Sequence, residues 1–235
     1  MTSSLLERKA DILSRYFIGT DVDRRELHDL AALAHLKRAT ADDVIFEQGD
    51  AGHALMIVIS GKVLILATSA AGRRLIINII GPGEIFGEIT VIDGAGRSAD
   101  AQAAEDIEYL LIERRHFMPY LERAPSVAVK LLRLLCQRIR LATTELQDAA
   151  FLDLGRRLAK KLSMFMTLVG KPEARDGSVS IPVTQADPGA MLGVSRESIN
   201  KQLGAWRIDD VIRAGRGRLI IVKPETIRSL AGEAT

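Results

Sequence analysis

The chain has 235 residues and is 47% hydrophobic, enough for two domains, each with a core of its own. Its single cysteine, Cys136, excludes a disulfide framework, a four-thiolate iron–sulfur cluster and a cysteine-based structural zinc site within one chain. Net charge is only +2 but unevenly spread: residues 1–150 hold 18 Lys and Arg against 21 Asp and Glu, residues 151–235 hold 14 against 9, and the basic back part is the one suited to a polyanion.

Met1 to Ile18 mixes charges with short apolar groups, unlike a signal peptide, and no run of 18 apolar residues exists to span a membrane, so a cytoplasmic protein is expected. Residues 5–16 and 23–36 read as short helices, the second carrying Leu27, Leu30, Leu33, Ala34 and Leu36 at helical spacing. From Val44 the texture changes. Short apolar or β-branched runs at Val44–Phe46, Leu55–Ile59, Val63–Ala67, Leu75–Ile80, Glu84–Phe86 and Ile107–Ile112 are punctuated by Gly49-Asp50, Ser60-Gly61 and Ala71-Gly72. That rhythm predicts an antiparallel roll, barrel or sandwich.

Inside this region, Phe86-Gly87-Glu88-Ile89 to Arg97-Ser98-Ala99 puts a carboxylate, a guanidinium and a hydroxyl around a glycine-rich turn. An arginine fork and a hydroxyl suit phosphate oxygens, and a carboxylate suits sugar hydroxyls. Gly87 lets backbone amides approach closely. The set fits a small ligand with both a sugar and a phosphate.

From Ser126 to about Asp148 there is no Gly or Pro, and Ala128, Leu132, Leu135, Ile139, Ala142 and Leu146 are spaced 4, 3, 4, 3, 4. This is a heptad seam that predicts pairing with a second copy. Leu131, Leu134 and Leu141 widen the stripe so that another face packs on the roll, while Arg133, Arg138, Arg140 and Glu145 lie off the seam. Cys136 reads as a small core or interface residue. Ala149 to Asp153 is expected to break the helix as a hinge, residues 153–169 to be helical, Lys171 to Ser180 a loop, and Ser180–Val183 a short strand.

Thr184 to Leu203 reads as a helix–turn–helix, with Gly193 at the turn and Ser195 capping the second helix. Ile199 and Leu203 point inward, and Ser195, Arg196, Asn200 and Lys201 form a polar face able to reach base edges. Pro188 predicts a first helix that starts late, capped by Asp187. Gly215 to Arg218 followed by Leu219–Val222 reads as a β-hairpin wing whose arginines are free to touch phosphate.

The ordered set from Val44 to Val222 resembles the cAMP receptor protein and fumarate–nitrate regulator (Crp/Fnr) family. The cassette pattern F-G-E, a short turn and R-S-A, the Phe151-Leu152-Asp153 hinge and the stretch Val194-Ser195-Arg196-Glu197-Ser198-Ile199 carry the resemblance. It implies an α+β fold: an N-terminal cyclic-nucleotide-binding, jelly-roll-like β-roll over 1–125, a dimerisation helix and hinge over 126–150, and a winged helix–turn–helix over 151–235. By resemblance, Glu88 binds the ribose 2′-hydroxyl, Arg97 and Ser98 the cyclic phosphate, with Gly87 and Ile89 beside them. Thr143 and Thr144 are the hydroxyls left for the base, since Ala142 has none. The implied effector is cAMP, with cGMP as the variant. The resemblance further implies that Arg196 and Lys201 read guanines and Glu197 the opposite strand, that Ser195, Ser198 and Asn200 lie at the groove, and that Thr184 and Gln185 touch phosphate. The implied partners are a palindromic DNA operator, a second copy of the chain and RNA polymerase.

No activated nucleophile, metal-ligand cluster or Walker loop is present, so an enzyme is not expected. His28, His35, His53 and His116 are scattered, and neither haem nor an iron–sulfur cluster is expected. One rival stays open, a member of the same family that is constitutive or answers a non-nucleotide signal; the reading head at Ser195–Lys201 argues against a nucleotide-binding module that regulates a protein partner.

Overall fold

The computed structural model describes residues 2–14, 23–173, 177–182 and 188–233. In chain order these form α1 (Thr2–Ile12), α2 (Arg24–Leu33), β1 (His35–Ala39), β2 (Val44–Phe46), β3 (Ala54–Ser60), β4 (Val63–Thr68), β5 (Arg74–Ile80), β6 (Ile85–Phe86), α3 (Glu88–Asp93), β7 (Asp100–Ala103) and β8 (Ile107–Glu113). There follow α4 (Arg114–Arg123), α5 (Pro125–Phe151), α6 (Leu154–Leu168), β9 (Lys171–Pro172), β10 (Val179–Pro182), α7 (Pro188–Leu192), α8 (Arg196–Ile208), β11 (Ile212–Gly215), β12 (Arg218–Ile221) and α9 (Pro224–Ala231). Among the described residues no helix is long and apolar enough to cross a membrane.

The chain divides into two compact units: residues 1–66 with 78–140, and residues 67–77 with 141–235. The roll has two antiparallel sheets, β1-β8-β3-β6 and β2-β7-β4-β5. The period of two along β3 explains its near-continuous burial. Leu55 and Ile57 join the cluster formed with α1, α2, α4 and α5, while Ala54, Met56 and Val58 join the cluster with Val63, Ile80, Phe86 and Ala101. A strand with apolar partners on both faces has no polar side to show.

The strand boundaries follow the sequence reading closely, with two additions. His35–Ala39, in a stretch partly read as helix, is strand β1, paired with β8 from His35↔Leu111 to Ala39↔Ile107. Asp100–Ala103 is strand β7, which pairs with both β2 and β4. The cassette turn contains a short helix, α3, bounded by Gly87 and Gly94, both left-handed with φ of 76°.

The long helix overruns its expected end. Ala149, Ala150 and Phe151 remain helical, and the break narrows to Leu152 and Asp153. Asp153 does the breaking: its carboxylate caps α6 by accepting from the Arg156 amide at 2.9 Å. In the second unit, α9 packs on α6, and β11-β12-β10-β9 form one sheet. The stretch expected as a loop from Lys171 to Ser180 supplies β9 and the first residues of β10, which pair at Val179↔Pro172 and Ser180↔Lys171.

Candidate functional site

The cassette places its polar groups in one cavity. Gly87, Glu88, Ile89, Arg97 and Ser98 all line it, together with Phe46, Ile65, Phe86, Thr90, Ala99 and Arg138. Glu88 is 1% exposed and Arg97 7%. Two buried groups of opposite charge need partners, and most of their bonding capacity is met. Arg97 Nη1 donates to the Gly87 carbonyl at 2.7 Å and Nη2 to the Ala54 carbonyl at 2.8 Å. Arg138, from α5, donates through Nη1 to Glu88 Oε1 and through Nη2 to the Ile85 carbonyl.

Two atoms are left over. Glu88 Oε2 and Arg97 Nε are buried and have no hydrogen-bond partner. Both atoms belong to residues that line the cavity, and buried polar atoms without a partner call for one. Burial pulls Arg97 below its ordinary value, and the nearby Asp50 and Glu88 carboxylates raise it again. The cavity volume is about 60 Å³.

Wider clefts lie elsewhere, and in one of them the carboxylates are engaged. In the 380 Å³ cleft beside Arg38, Asp43 accepts from the Thr40 amide and hydroxyl, Asp106 from the Ala41 amide, and Glu108 from Arg8 and Arg38.

Thr143 and Thr144, expected at the ligand, do not line this cavity; both are exposed residues of α5. The α5 residue that does line it is Arg138, which the heptad pattern leaves as an off-seam charge. A signal existed: Arg138 falls four and seven residues after Leu134 and Leu131, on the stripe that packs on the roll. A charge on an apolar stripe asks for a buried partner.

On the seam, Leu132 is 61% exposed and Ile139 66%; Ala142 and Leu146 are also exposed, and Ala128 and Leu135 are half-buried. Leu131 is buried and Leu134 half-buried against the roll core, as expected. Leu141, expected to join them, is exposed.

In the second unit, Gly193 (φ 63°) turns the chain between α7 and α8. Ser195 caps α8, its hydroxyl accepting from the Ser198 amide at 3.3 Å and pairing with the Ser198 hydroxyl at 2.9 Å. Ile199, Leu203 and Trp206 are buried at spacings of four and three, so Arg196, Glu197, Ser198, Asn200 and Lys201 fall on the exposed side. α7 is described from Pro188 onward. Thr184, Gln185 and Asp187 lie outside the described residues. The expectation of free wing arginines needs correction. Arg218 is ion-paired with Glu173, whereas Arg216 is exposed at the tip of the β11–β12 hairpin. The neighbouring Arg213 clamps both oxygens of Asp210 at 3.0 and 3.1 Å.

Residues 36–124 match the cyclic nucleotide-binding domain family and residues 156–230 the Crp-like helix-turn-helix domain family. The cyclic AMP receptor protein of Thermus thermophilus is 34% identical over 80% of this chain and 83% of its own. A CRP-like cAMP-activated global transcriptional regulator of Mycobacterium tuberculosis is 31% identical over 68% of this chain and 71% of its own. Among solved structures, the c-di-GMP responsive global regulator CLP of Xanthomonas campestris shares the fold, with a TM-score of 0.74 at 23% identity over 85% of this chain and 99% of that one.

Proposed function

Because the chain belongs to the Crp/Fnr family of transcriptional regulators, we propose that it is a homodimeric, cytoplasmic DNA-binding regulator controlled by a cyclic nucleotide, with cAMP as the effector. One observation carries the effector half: Glu88 Oε2 and Arg97 Nε are buried without a hydrogen-bond partner, on two oppositely charged residues that line one cavity. A ribose hydroxyl donating to the first and a phosphate oxygen accepting from the second would satisfy both. The names of the Thermus thermophilus and Mycobacterium tuberculosis relatives support cAMP over other nucleotides. The hydroxyls of Thr143 and Thr144 remain the candidates for reading the base, from either copy of α5.

The mechanism is a population shift. A nucleotide needs far more room than the present cavity, since sites for small molecules run to about 300 Å³ or more. Arg138 lines that cavity and belongs to α5. Binding therefore favours the arrangement of α5 in which Arg138 has yielded space while still sharing Glu88. The exposed seam from Leu132 to Leu146 pairs two copies, and two α8 helices then enter successive major grooves of a palindromic operator. The chain organisation that serves this is an effector domain over 1–125, a dimer helix over 126–150 and a reading head over 151–235. RNA polymerase as a further partner rests on family membership alone, and the role is regulatory, not enzymatic.

Titration calorimetry with cAMP, cGMP and 5′-AMP, paired with operator binding with and without nucleotide, tests the reading. Saturable cAMP binding that is lost in Arg97→Gln and that strengthens DNA binding is the expected result. The small cavity volume favours one alternative, a member that is constitutive or answers another signal. DNA binding at full strength with no heat from any nucleotide would establish that alternative.

A further inference from the structure

The phosphate-facing arginine is held in an unusual cradle, and its aromatic side is supplied by a residue that the reading above leaves without a role. The Arg97 guanidinium carbon lies 4.2 Å from the centroid of the Phe46 ring. Phe46 is itself stacked on Phe86, with centroids 6.0 Å apart and planes inclined by 27°. On the remaining sides the guanidinium meets glycines. A Cβ on Gly52 would lie 2.8 Å from Arg97 Nε, and a Cβ on Gly87 would lie 2.5 Å from Nη1. With Nη1 and Nη2 engaged by carbonyls, Nε is the nitrogen that lacks a hydrogen-bond partner.

The backbone is shaped to put Phe46 there. The pairing of β2 with β7 shifts register between Val44↔Gln102 and Phe46↔Ala101. Such a bulge turns a side chain out of strict alternation. In consequence Ile45 and Phe46, consecutive residues, both pack against the same core cluster.

We infer that Phe46 is a positioning residue for phosphate recognition: its ring covers one face of Arg97 and leaves the guanidinium an edge-on approach to an anion. The inference rests on the cyclic-nucleotide reading of this cavity. A planar cation fixed by an aromatic face and two carbonyls loses little freedom when it binds, so its hydrogen bonds to a phosphodiester are stronger than those of a mobile arginine. Phe46 touches Arg97 and also lines the cavity, so the double variant is what separates an effect that runs through Arg97 from a direct one.

The test is cAMP affinity, by calorimetry on the full chain, of wild type, Phe46→Leu, Phe46→Tyr, Arg97→Lys and Phe46→Leu/Arg97→Lys. Leucine keeps an apolar side chain against Phe86 but removes the ring face, and tyrosine restores it. Lysine keeps the charge without the planar group. The expected result is an affinity about five- to tenfold weaker for Phe46→Leu, in the range of a desolvated cation–π contact, recovery in Phe46→Tyr, and less than about a twofold further effect of Phe46→Leu in the lysine background. If Phe46→Leu fails to fold, Phe46→Met makes the same comparison. Equal affinity of Phe46→Leu and wild type would overturn the inference, as would equal losses in leucine and tyrosine or strictly additive losses in the double variant. Absence of binding by wild type would instead overturn the nucleotide reading on which it rests.

Discussion

Arg138 of α5 and Glu88 of the cassette form an ion pair in which the carboxylate is 1% exposed and the guanidinium side chain 23%. The long helix is thereby tied to the cassette cavity, and the tie is one-sided. Arg138 can turn toward water, but Glu88 cannot.

Arg138→Met should therefore be costly and Glu88→Gln in the same background should repair it. Removing the arginine leaves a buried carboxylate without its cation, a loss of about 3 kcal/mol, the low end for a buried pair broken on one side. Replacing both charges returns most of that stability, because a neutral amide against a thioether has no uncompensated charge. Urea unfolding of the three variants is the measurement. Equal midpoints for Arg138→Met and wild type would mean that the pair does not hold α5 to the roll.

That pair also marks where local sequence reasoning ends. Gly87, Glu88, Arg97 and Ser98 fall within one short stretch, so their spacing alone could gather them. Arg138 is 50 residues from Glu88, and no spacing rule connects them. The missed strands fail for a different reason. β1 reads His-Leu-Lys-Arg-Ala and sits at the edge of its sheet, exposing most of its side chains. β7 reads Asp-Ala-Gln-Ala and alternates in burial, but alanine is too small to signal a buried face by hydrophobicity. Both are strands because their neighbours need partners, not because of their own propensity. The reading head was more legible, because a cap, a tight turn and an inward stripe are all local: Ser195, Gly193, Ile199 and Leu203 each stand where the spacing placed them.

The wing arginines should differ in their use of DNA phosphate. Arg216 is exposed at the hairpin tip, while Arg218 is bound to Glu173. A cation that meets phosphate directly releases counterions, so Arg216→Ala should lower the slope of log affinity against log salt by about 0.9. Arg218 must first leave its carboxylate, and Arg218→Ala should change the slope by less. Salt titrations of binding to a non-specific duplex decide it. A larger slope change for Arg218→Ala would show that the Glu173 pair opens on DNA and that Arg218 is the principal phosphate contact.

The junction between α5 and α6 should obey a similar asymmetry. Lys160 reaches both oxygens of Asp148 at 2.7 Å, and Lys161 reaches Glu145 Oε1 at 2.8 Å, so two consecutive lysines bridge the break at Leu152 and Asp153. The Lys161 side chain is only 6% exposed, whereas Glu145 is 53% exposed. Glu145→Gln strands a buried ammonium away from its carboxylate and should lower stability by about 1–3 kcal/mol. Lys161→Met removes the buried charge and leaves a carboxylate that water can solvate, so its effect should be close to neutral. Urea unfolding followed by the fluorescence of Trp206, the chain's one tryptophan, reports on the second unit directly. If Lys161→Met proves the more damaging change, the lysine is held for the packing of its methylene stem and not for its charge.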